Sequence, residues 1–87
     1  MKNPQRMNRL AFKTIGLETI ILDTKIGKEV HQLNEVATFV WNLCDGNHTM
    51  ATIAEKVCEE FEVDKIQATE DVKELVDVLS IKSLLEA

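Results

Sequence analysis

The feature that most constrains the fold of this chain is a change of hydrophobic period at Leu33 and Asn34. Before this point lie three short β-prone runs punctuated by glycines: residues 10–13, 19–23 and 29–33. Runs of this length are typical of a small antiparallel meander. After it, apolar residues recur at helical spacing. The sequence therefore predicts three strands followed by three helices.

Each predicted helix follows a residue suited to cap it, because the side-chain oxygens of Asn34, Thr49 and Asp64 can accept free amides of a first turn. Helix one is predicted to end near Asp45 and Gly46, where glycine can take a left-handed conformation. Asp64 followed by Gln67 resembles a capping box. Segregated strands and helices favour an α+β fold with the helices on one side of the sheet. We expect a winged helix-turn-helix-like arrangement.

The apolar stripes of the three helices predict the core. Helix one supplies Val36, Ala37, Val40, Trp41 and Cys44. Helix two supplies Met50, Ile53, Ala54, Val57, Cys58 and Phe61. Helix three supplies Ala68, Val72, Leu75, Val76 and Leu79. The two cysteines have neither redox-motif nor disulfide-framework spacing, so we interpret them as buried thiols.

The length of 87 residues predicts one domain, 1–87, with residues 1–9 flexible. Its content of 45% hydrophobic and 29% charged residues is ordinary for a globular protein. The basic N-terminus runs into no sustained apolar segment, and no stretch is long enough to span a bilayer. We therefore expect a cytoplasmic location. The net charge of -5 opposes binding to a phosphate backbone, so we expect no nucleic-acid partner.

The sequence presents no recognisable catalytic or metal site. His31 and His48 have no nucleophile at a motif spacing, and the two histidines and two cysteines include no tight pair that could seed a metal site. The acidic residues at 59–64 fit the solvated side of a helix. We expect a protein that is not an enzyme and that uses no metal or cofactor.

The third helix carries a second stripe, partly apolar, in addition to the stripe that the core requires. It lies beside the core stripe and consists of Asp71, Leu75, Val78 and Lys82. Apolar surface with charge at both ends suits a peptide groove, but packing of Val78 against helix one or the sheet also explains the stripe. Spacing alone leaves both interpretations open.

From about Val30 to Leu85 the chain resembles the PqqD family, the peptide-recognition element of ribosomally made, post-translationally modified peptides. The resemblance is carried by motifs in a fairly specific order: Leu33-Asn34-Glu35 with Ala37, Trp41-Asn42-Leu43-Cys44-Asp45-Gly46, Thr49 with Ile53, and Asp71-Val72 with Leu75 and Leu79. The family usually has a glycine before its final leucines, where this chain has Ser83-Leu84-Leu85. This difference lies where the chain leaves helix three, so the resemblance does not determine the backbone conformation there.

The resemblance implies a domain that binds the leader segment of a precursor peptide as a strand added to its third strand. Helix three would form the opposite wall. The residues implied in peptide binding are Lys28, Glu29, Val30, His31, Gln32, Asp71, Leu75, Val78 and Lys82. Such a module would present the precursor to a modifying enzyme, either a radical SAM protein or a lasso-type leader peptidase.

Two other functions stay open at this point. A winged helix-turn-helix protein could bind DNA, although the third helix carries more acids than lysines between Lys65 and Lys82. Alternatively, the chain could be an assembly subunit whose exposed strand edge pairs with its own copy. The oligomeric state is not determined by the sequence.

Overall fold

The computed structural model describes residues 3–23 and 29–86. In chain order its elements are β1 (Gln5–Arg6), β2 (Ala11–Ile15), β3 (Glu18–Asp23), β4 (Glu29–Leu33), α1 (Glu35–Leu43), α2 (Met50–Phe61), α3 (Lys65–Ile81) and β5 (Leu85–Glu86). The three expected strands correspond to β2, β3 and β4, and the three expected helices to α1, α2 and α3. The predicted α+β fold is confirmed. Among the described residues, no helix combines the length and apolarity needed to cross a membrane.

The three-stranded sheet is antiparallel in the order β2-β3-β4. A two-residue loop joins β2 to β3, and Gly16 at its first position has φ +63°, as type II′ turns require. Along β3 the side chains alternate between buried and exposed, so Thr19, Ile21 and Asp23 face the core. Because β3 is central, β4 lies at an edge of the sheet.

The helices cover the inner face of this sheet, with Trp41 at the centre of the core. The Trp41 side chain is fully buried, and its ring lies perpendicular to the Phe12 ring on β2 with the two centroids 5.4 Å apart. Cys44 is buried as predicted. Cys58 is only partly buried. It lies near the end of α2, and its thiol donates a hydrogen bond to the Val63 carbonyl at 2.8 Å.

The predicted end of helix one was wrong by two residues. Helix α1 stops at Leu43, with Cys44 as the capping residue, and Gly46 lies in the following turn with φ +83°. The Gly46 amide donates to the Pro4 carbonyl at 2.9 Å, and a β-carbon at Gly46 would lie 2.9 Å from the side-chain oxygen of Gln5. Gly46 therefore admits the N-terminal segment rather than closing the helix.

That N-terminal segment pairs with the end of the chain. Strands β1 and β5 form a two-stranded antiparallel sheet that the sequence did not predict. The Arg6 amide donates to the Cys44 carbonyl, and the Met7 amide donates to the Leu84 carbonyl. The flexibility expected of residues 1–9 stays a prediction. Those of them that the structure describes lie against α1 and β5.

Helix α3 leaves its last turn through a left-handed residue, Ser83, with φ +61°. The Ser83 amide donates to the Ser80 carbonyl and the Leu84 amide to the Leu79 carbonyl, both at 2.9 Å. This pair of bonds is the Schellman motif, in which glycine usually occupies the left-handed position. The departure at Ser83 is therefore compatible with a normal helix exit, and it buries Leu84.

The N-terminus of α3 shows half of the predicted capping box. The Asp64 carboxylate accepts the Gln67 amide at 2.8 Å, as expected. The Gln67 side chain does not reach back to the cap, because its amide donates forward to the Asp71 carboxylate at 2.8 Å.

Candidate functional site

Strand β4 has one paired edge and one edge that no described strand covers. Its residues pair with β3 from Glu29 opposite Asp23 to Leu33 opposite Thr19. In an antiparallel ladder, alternate residues direct their N–H and C=O groups away from the partner strand. The outer edge of β4 is therefore a row of backbone donors and acceptors.

A cavity of about 330 Å³ separates this edge from α3. Strand β4 contributes Val30, His31, Gln32 and Leu33, and α3 contributes Leu75, Val78, Leu79 and Lys82. Asn34, Ala37 and Leu84 complete the lining. The cavity thus has a strand edge as one wall and a helix as the other.

A second cavity of about 380 Å³ continues the first towards the N-terminal turn of α1. The two cavities share Asn34, Ala37, Leu75 and Val78. The second adds Val36, Asp71 and Glu74. Together they form one channel, which we call the β4–α3 groove.

The helix wall of the groove is apolar at its centre. Leu75 is half-buried against the core, whereas Val78 leaves 41% of its surface exposed. Val78 is therefore not one of the buried core residues, although it lies beside Val36 and Ala37 of α1. Its exposure supports the interpretation of a groove flank.

The two ends of the groove carry opposite charges. Asp71 and Glu74 lie at the end next to α1, and Lys82 lies at the end next to β4. The Asp71 carboxylate already accepts the bond from Gln67, but its surroundings are exposed and leave it open to a second partner. One end of the groove is therefore negatively charged and the other end positively charged.

His31 contributes a nearly buried ring to the strand wall. Its side chain is 13% exposed, and Nε2 lies 3.4 Å from a carboxylate oxygen of Glu29 without hydrogen-bond geometry. No described group makes a hydrogen bond to this buried nitrogen. The histidine therefore packs as part of the wall, and no serine, threonine or cysteine is among the described residues that line the same cavity.

The structure brings most of the predicted peptide-binding residues together. Those lining the groove are Val30, His31, Gln32, Asp71, Leu75, Val78 and Lys82. Glu29 belongs to β4 but does not line the groove. Lys28 lies outside the described residues. Whether these residues bind peptide stays a prediction.

Sequence reasoning missed the floor of the groove. Leu33, Asn34, Val36, Ala37, Glu74, Leu79 and Leu84 also line it. The sequence predicts most of these residues as core residues or as a helix cap. Those roles account for their apolar or capping patterns, so no pattern is left to indicate a groove. The half-buried state of Val36, at the start of its helix, is a structural fact that periodicity cannot supply.

A larger cavity of about 550 Å³ lies on the opposite side of α3. It is bordered by α2, by Asn3 and Pro4 just before β1, and by β5, which is a two-residue strand paired only with the two residues of β1. Strands of that length offer too few backbone groups to template an added peptide strand. We therefore place the candidate peptide site in the smaller β4–α3 groove.

The remaining chemistry-bearing side chains lie elsewhere. Burial raises the pKa of the Cys44 thiol to about 12, so this sulfur is not a nucleophile at neutral pH. A hydrogen bond from the Asn47 amide, followed by one from His48, lowers the pKa of the Asp45 carboxyl in the turn after α1. Among the residues that the structure describes, no cluster of three potential metal ligands occurs.

Comparison with protein families gives a match over residues 18–85 to the family described as coenzyme PQQ synthesis protein D (PqqD). The chain is also 38% identical over 58 residues to PqqA binding proteins of Xanthomonas euvesicatoria pv. vesicatoria (strain 85-10) and Xanthomonas axonopodis pv. citri (strain 306). The match covers 67% of this chain and 63% of each relative. The chain thus spans slightly less than two thirds of these relatives.

Solved structures share the fold at low sequence identity. A complex of TbiB1 with the TbiA(beta) leader peptide superposes with a TM-score of 0.86 at 23% identity, covering 95% of both chains. A lasso peptide synthetase B1 with its leader peptide gives 0.85 at 22% identity, over 98% of this chain and 99% of that one. The PqqD truncation of Methylobacterium extorquens PqqCD, a RiPP recognition element, gives 0.73 at 20% identity, over 97% and 88%. These likenesses establish the fold.

Proposed function

This chain belongs to the PqqD family, and from that premise we propose that it is a non-catalytic peptide chaperone for a ribosomally synthesised precursor. It binds the leader segment of the precursor by strand addition and presents the peptide to a separate modifying enzyme. The observation that carries the proposal is the open edge of β4 facing α3 across the groove. We propose that residues 1–87 act as one domain in this role.

The open edge accounts for binding that does not depend on a particular leader sequence. An added strand would continue the sheet beyond β4 and would pair with the outward N–H and C=O groups of that strand. These bonds form with any extended peptide that lacks proline at the paired positions. The edge therefore supplies attachment, and the groove must supply selectivity.

The apolar wall accounts for most of the affinity. A few main-chain hydrogen bonds at about 1 kcal/mol each do not reach the roughly 8 kcal/mol of a micromolar complex. Leader side chains that point towards α3 must therefore bury apolar surface against Leu75 and Val78. The 41% exposure of Val78 leaves surface for this contact.

The charges at the groove ends fix the register of the leader. Asp71 and Lys82 lie at opposite ends of the helix wall, so a leader with mismatched charges meets repulsion at one of them. We propose the same role for Lys28, from its place directly before β4. Backbone pairing without these charges would tolerate strands shifted by two residues.

The names of similar proteins support a precursor peptide as the ligand. The Xanthomonas relatives are called PqqA binding proteins, and two of the similar structures contain leader peptides. We propose that the partner enzyme is a radical SAM protein or a lasso-type leader peptidase, and that both act in the cytoplasm. By holding the precursor, the chaperone would raise its effective concentration at that enzyme.

Calorimetric titration tests this function. The titrant is the leader half of the short peptide encoded nearest to the gene, and the variant is Leu75→Asp with Val78→Asp. The matched control is Ile66→Asp with Ile81→Asp, since these α3 residues are 75% and 82% exposed and lie outside the groove. Both variants replace two aliphatic residues of the same helix with aspartate.

The proposal predicts saturable binding in the micromolar range or tighter. We expect the groove variant to lose at least about tenfold in affinity, which corresponds to roughly 1.4 kcal/mol, and the control to bind like the unaltered chain. Circular dichroism would establish that both variants are folded. Absence of binding to the unaltered chain, or equal loss in both variants, contradicts the proposal.

A further inference from the structure

We propose that the leader segment is basic before its apolar contacts and acidic after them, with the two charges about five residues apart. This inference rests on the proposed function and names the class of peptide that the groove accepts. Its basis is the order in which charged and apolar residues follow one another along the β4–α3 groove.

The lining residues give the groove a direction. The acidic end combines Asp71 and Glu74 with Val36 in the first turn of α1, which follows β4 in the chain. The other end combines Lys82 with β4 itself from Val30 onwards. Helix α3 therefore runs opposite to β4 along the groove.

The sheet favours one orientation of an added strand. Both strand pairs of the three-stranded sheet are antiparallel, and antiparallel pairing is slightly more stable per residue than parallel pairing. A leader antiparallel to β4 runs in the same direction as α3. Its earlier residues then approach Asp71, and its later residues approach Lys82.

Helix and strand dimensions set the spacing. Asp71 lies in α3 and Lys82 is the C-terminal cap of that helix, eleven residues later, which at 1.5 Å per residue is about 16 Å. An extended strand covers this distance in about five residues at 3.4 Å each. Between the two charges, the side chains that point towards α3 meet Leu75 and Val78. The accepted segment therefore has the order basic, apolar, acidic.

Neighbouring charges leave this polarity intact. The carboxylate of Glu29 lies beside His31 and does not line the groove. The Arg9 guanidinium is already engaged, because it donates to Asp23 and to the Ser83 carbonyl. Among the residues that the structure describes, Lys82 is thus the cation that lines the groove, and its side chain is exposed.

A charge-order experiment tests the proposal. Two synthetic forms of the leader encoded beside the gene carry an arginine and a glutamate five positions apart around the apolar contacts, in basic-first or acidic-first order. Fluorescence anisotropy measures their Kd for the unaltered chain and for Asp71→Lys with Lys82→Glu. The matched control, Asp77→Lys with Lys73→Glu, exchanges charges on the side of α3 that lines the other cavity.

We expect the unaltered chain and the control to bind the basic-first form about three- to tenfold more tightly at low ionic strength. The preference should shrink at about 0.5 M salt and reverse in the groove variant. Equal affinity for the two forms, or preference for the acidic-first form, overturns the charge order while leaving peptide binding intact. Failure of both forms to bind the unaltered chain rejects the proposed function itself, and the charge order with it.

Discussion

Replacing Ser83 with glycine should stabilise this protein. Ser83 has a left-handed backbone with φ +61° at the exit of α3, and its side chain is exposed. For a residue with a β-carbon this conformation costs roughly 1–2 kcal/mol. The exit places Leu84 in the floor of the groove, so its stability bears directly on the site.

The gain from Ser83→Gly is smaller than the strain that it removes. Glycine loses more backbone entropy on folding than serine, which offsets roughly 0.5–1 kcal/mol. We therefore expect a net increase of about 0.5–1 kcal/mol in the free energy of unfolding. For a domain of this size the melting temperature should rise by about 2–8 °C.

Thermal unfolding followed by circular dichroism measures this change. The control is Ser80→Gly, one turn earlier in the helical part of α3, where glycine should lower stability by about 0.5 kcal/mol. Opposite signs for the two substitutions would confirm the left-handed strain. A lower melting temperature for both would refute the reasoning, because serine would then be favoured at this helix exit.

Three further predictions follow from the packing. Arg9→Met should lower the free energy of unfolding in urea by about 1.5–3 kcal/mol, since the buried carboxylate of Asp23 loses the charge-assisted hydrogen bond from the Arg9 guanidinium. A change below about 1 kcal/mol would contradict this. Arg6→Met should cost about 2 kcal/mol in the same assay, because the Arg6 guanidinium donates to two carbonyls at the C-terminus of α1. An unchanged free energy of unfolding in Arg6→Met would refute this argument. A maleimide should label Cys58 faster than Cys44, because Cys44 is fully buried and burial raises the pKa of its thiol to about 12. Mass spectrometry of the digested protein measures both rates, and faster labelling of Cys44 would be inconsistent with the fold.

The helices were predictable because their signals are local. Asn34, Thr49 and Asp64 each accept an amide of the following first turn, as their positions indicated. The stripes that follow them bury Trp41 and Ile53 completely. Capping and periodicity depend on residues only a few positions apart, so both can be identified in the sequence alone.

The pairing of β1 with β5 could not be predicted, because it joins the two ends of the chain. Gln5 pairs with Glu86 and Arg6 with Leu85, and neither two-residue strand has a pattern that marks it as β. The end of α1 was missed for the same reason. Gly46 admits the N-terminal segment there, and this contact is invisible until the fold brings Gln5 close.

The candidate site was predictable in its walls but not in its floor. The stripe from Asp71 to Lys82 and the β4 run were visible as patterns, although only the family resemblance placed them opposite each other. Val36 and Leu84 enter the groove because the sheet and α3 leave a gap above them. Such a gap is a property of packing, which a single sequence does not record.

Amide hydrogen exchange by NMR tests the central claim, strand addition at β4, most directly. On saturation with the leader encoded beside the gene, we predict increased protection at alternate amides of residues 29–33 and shifted methyl signals of Leu75 and Val78. Peptide binding that left the β4 amides unprotected, with shifts confined to Thr69 and Lys73 in the other cavity, would contradict the account.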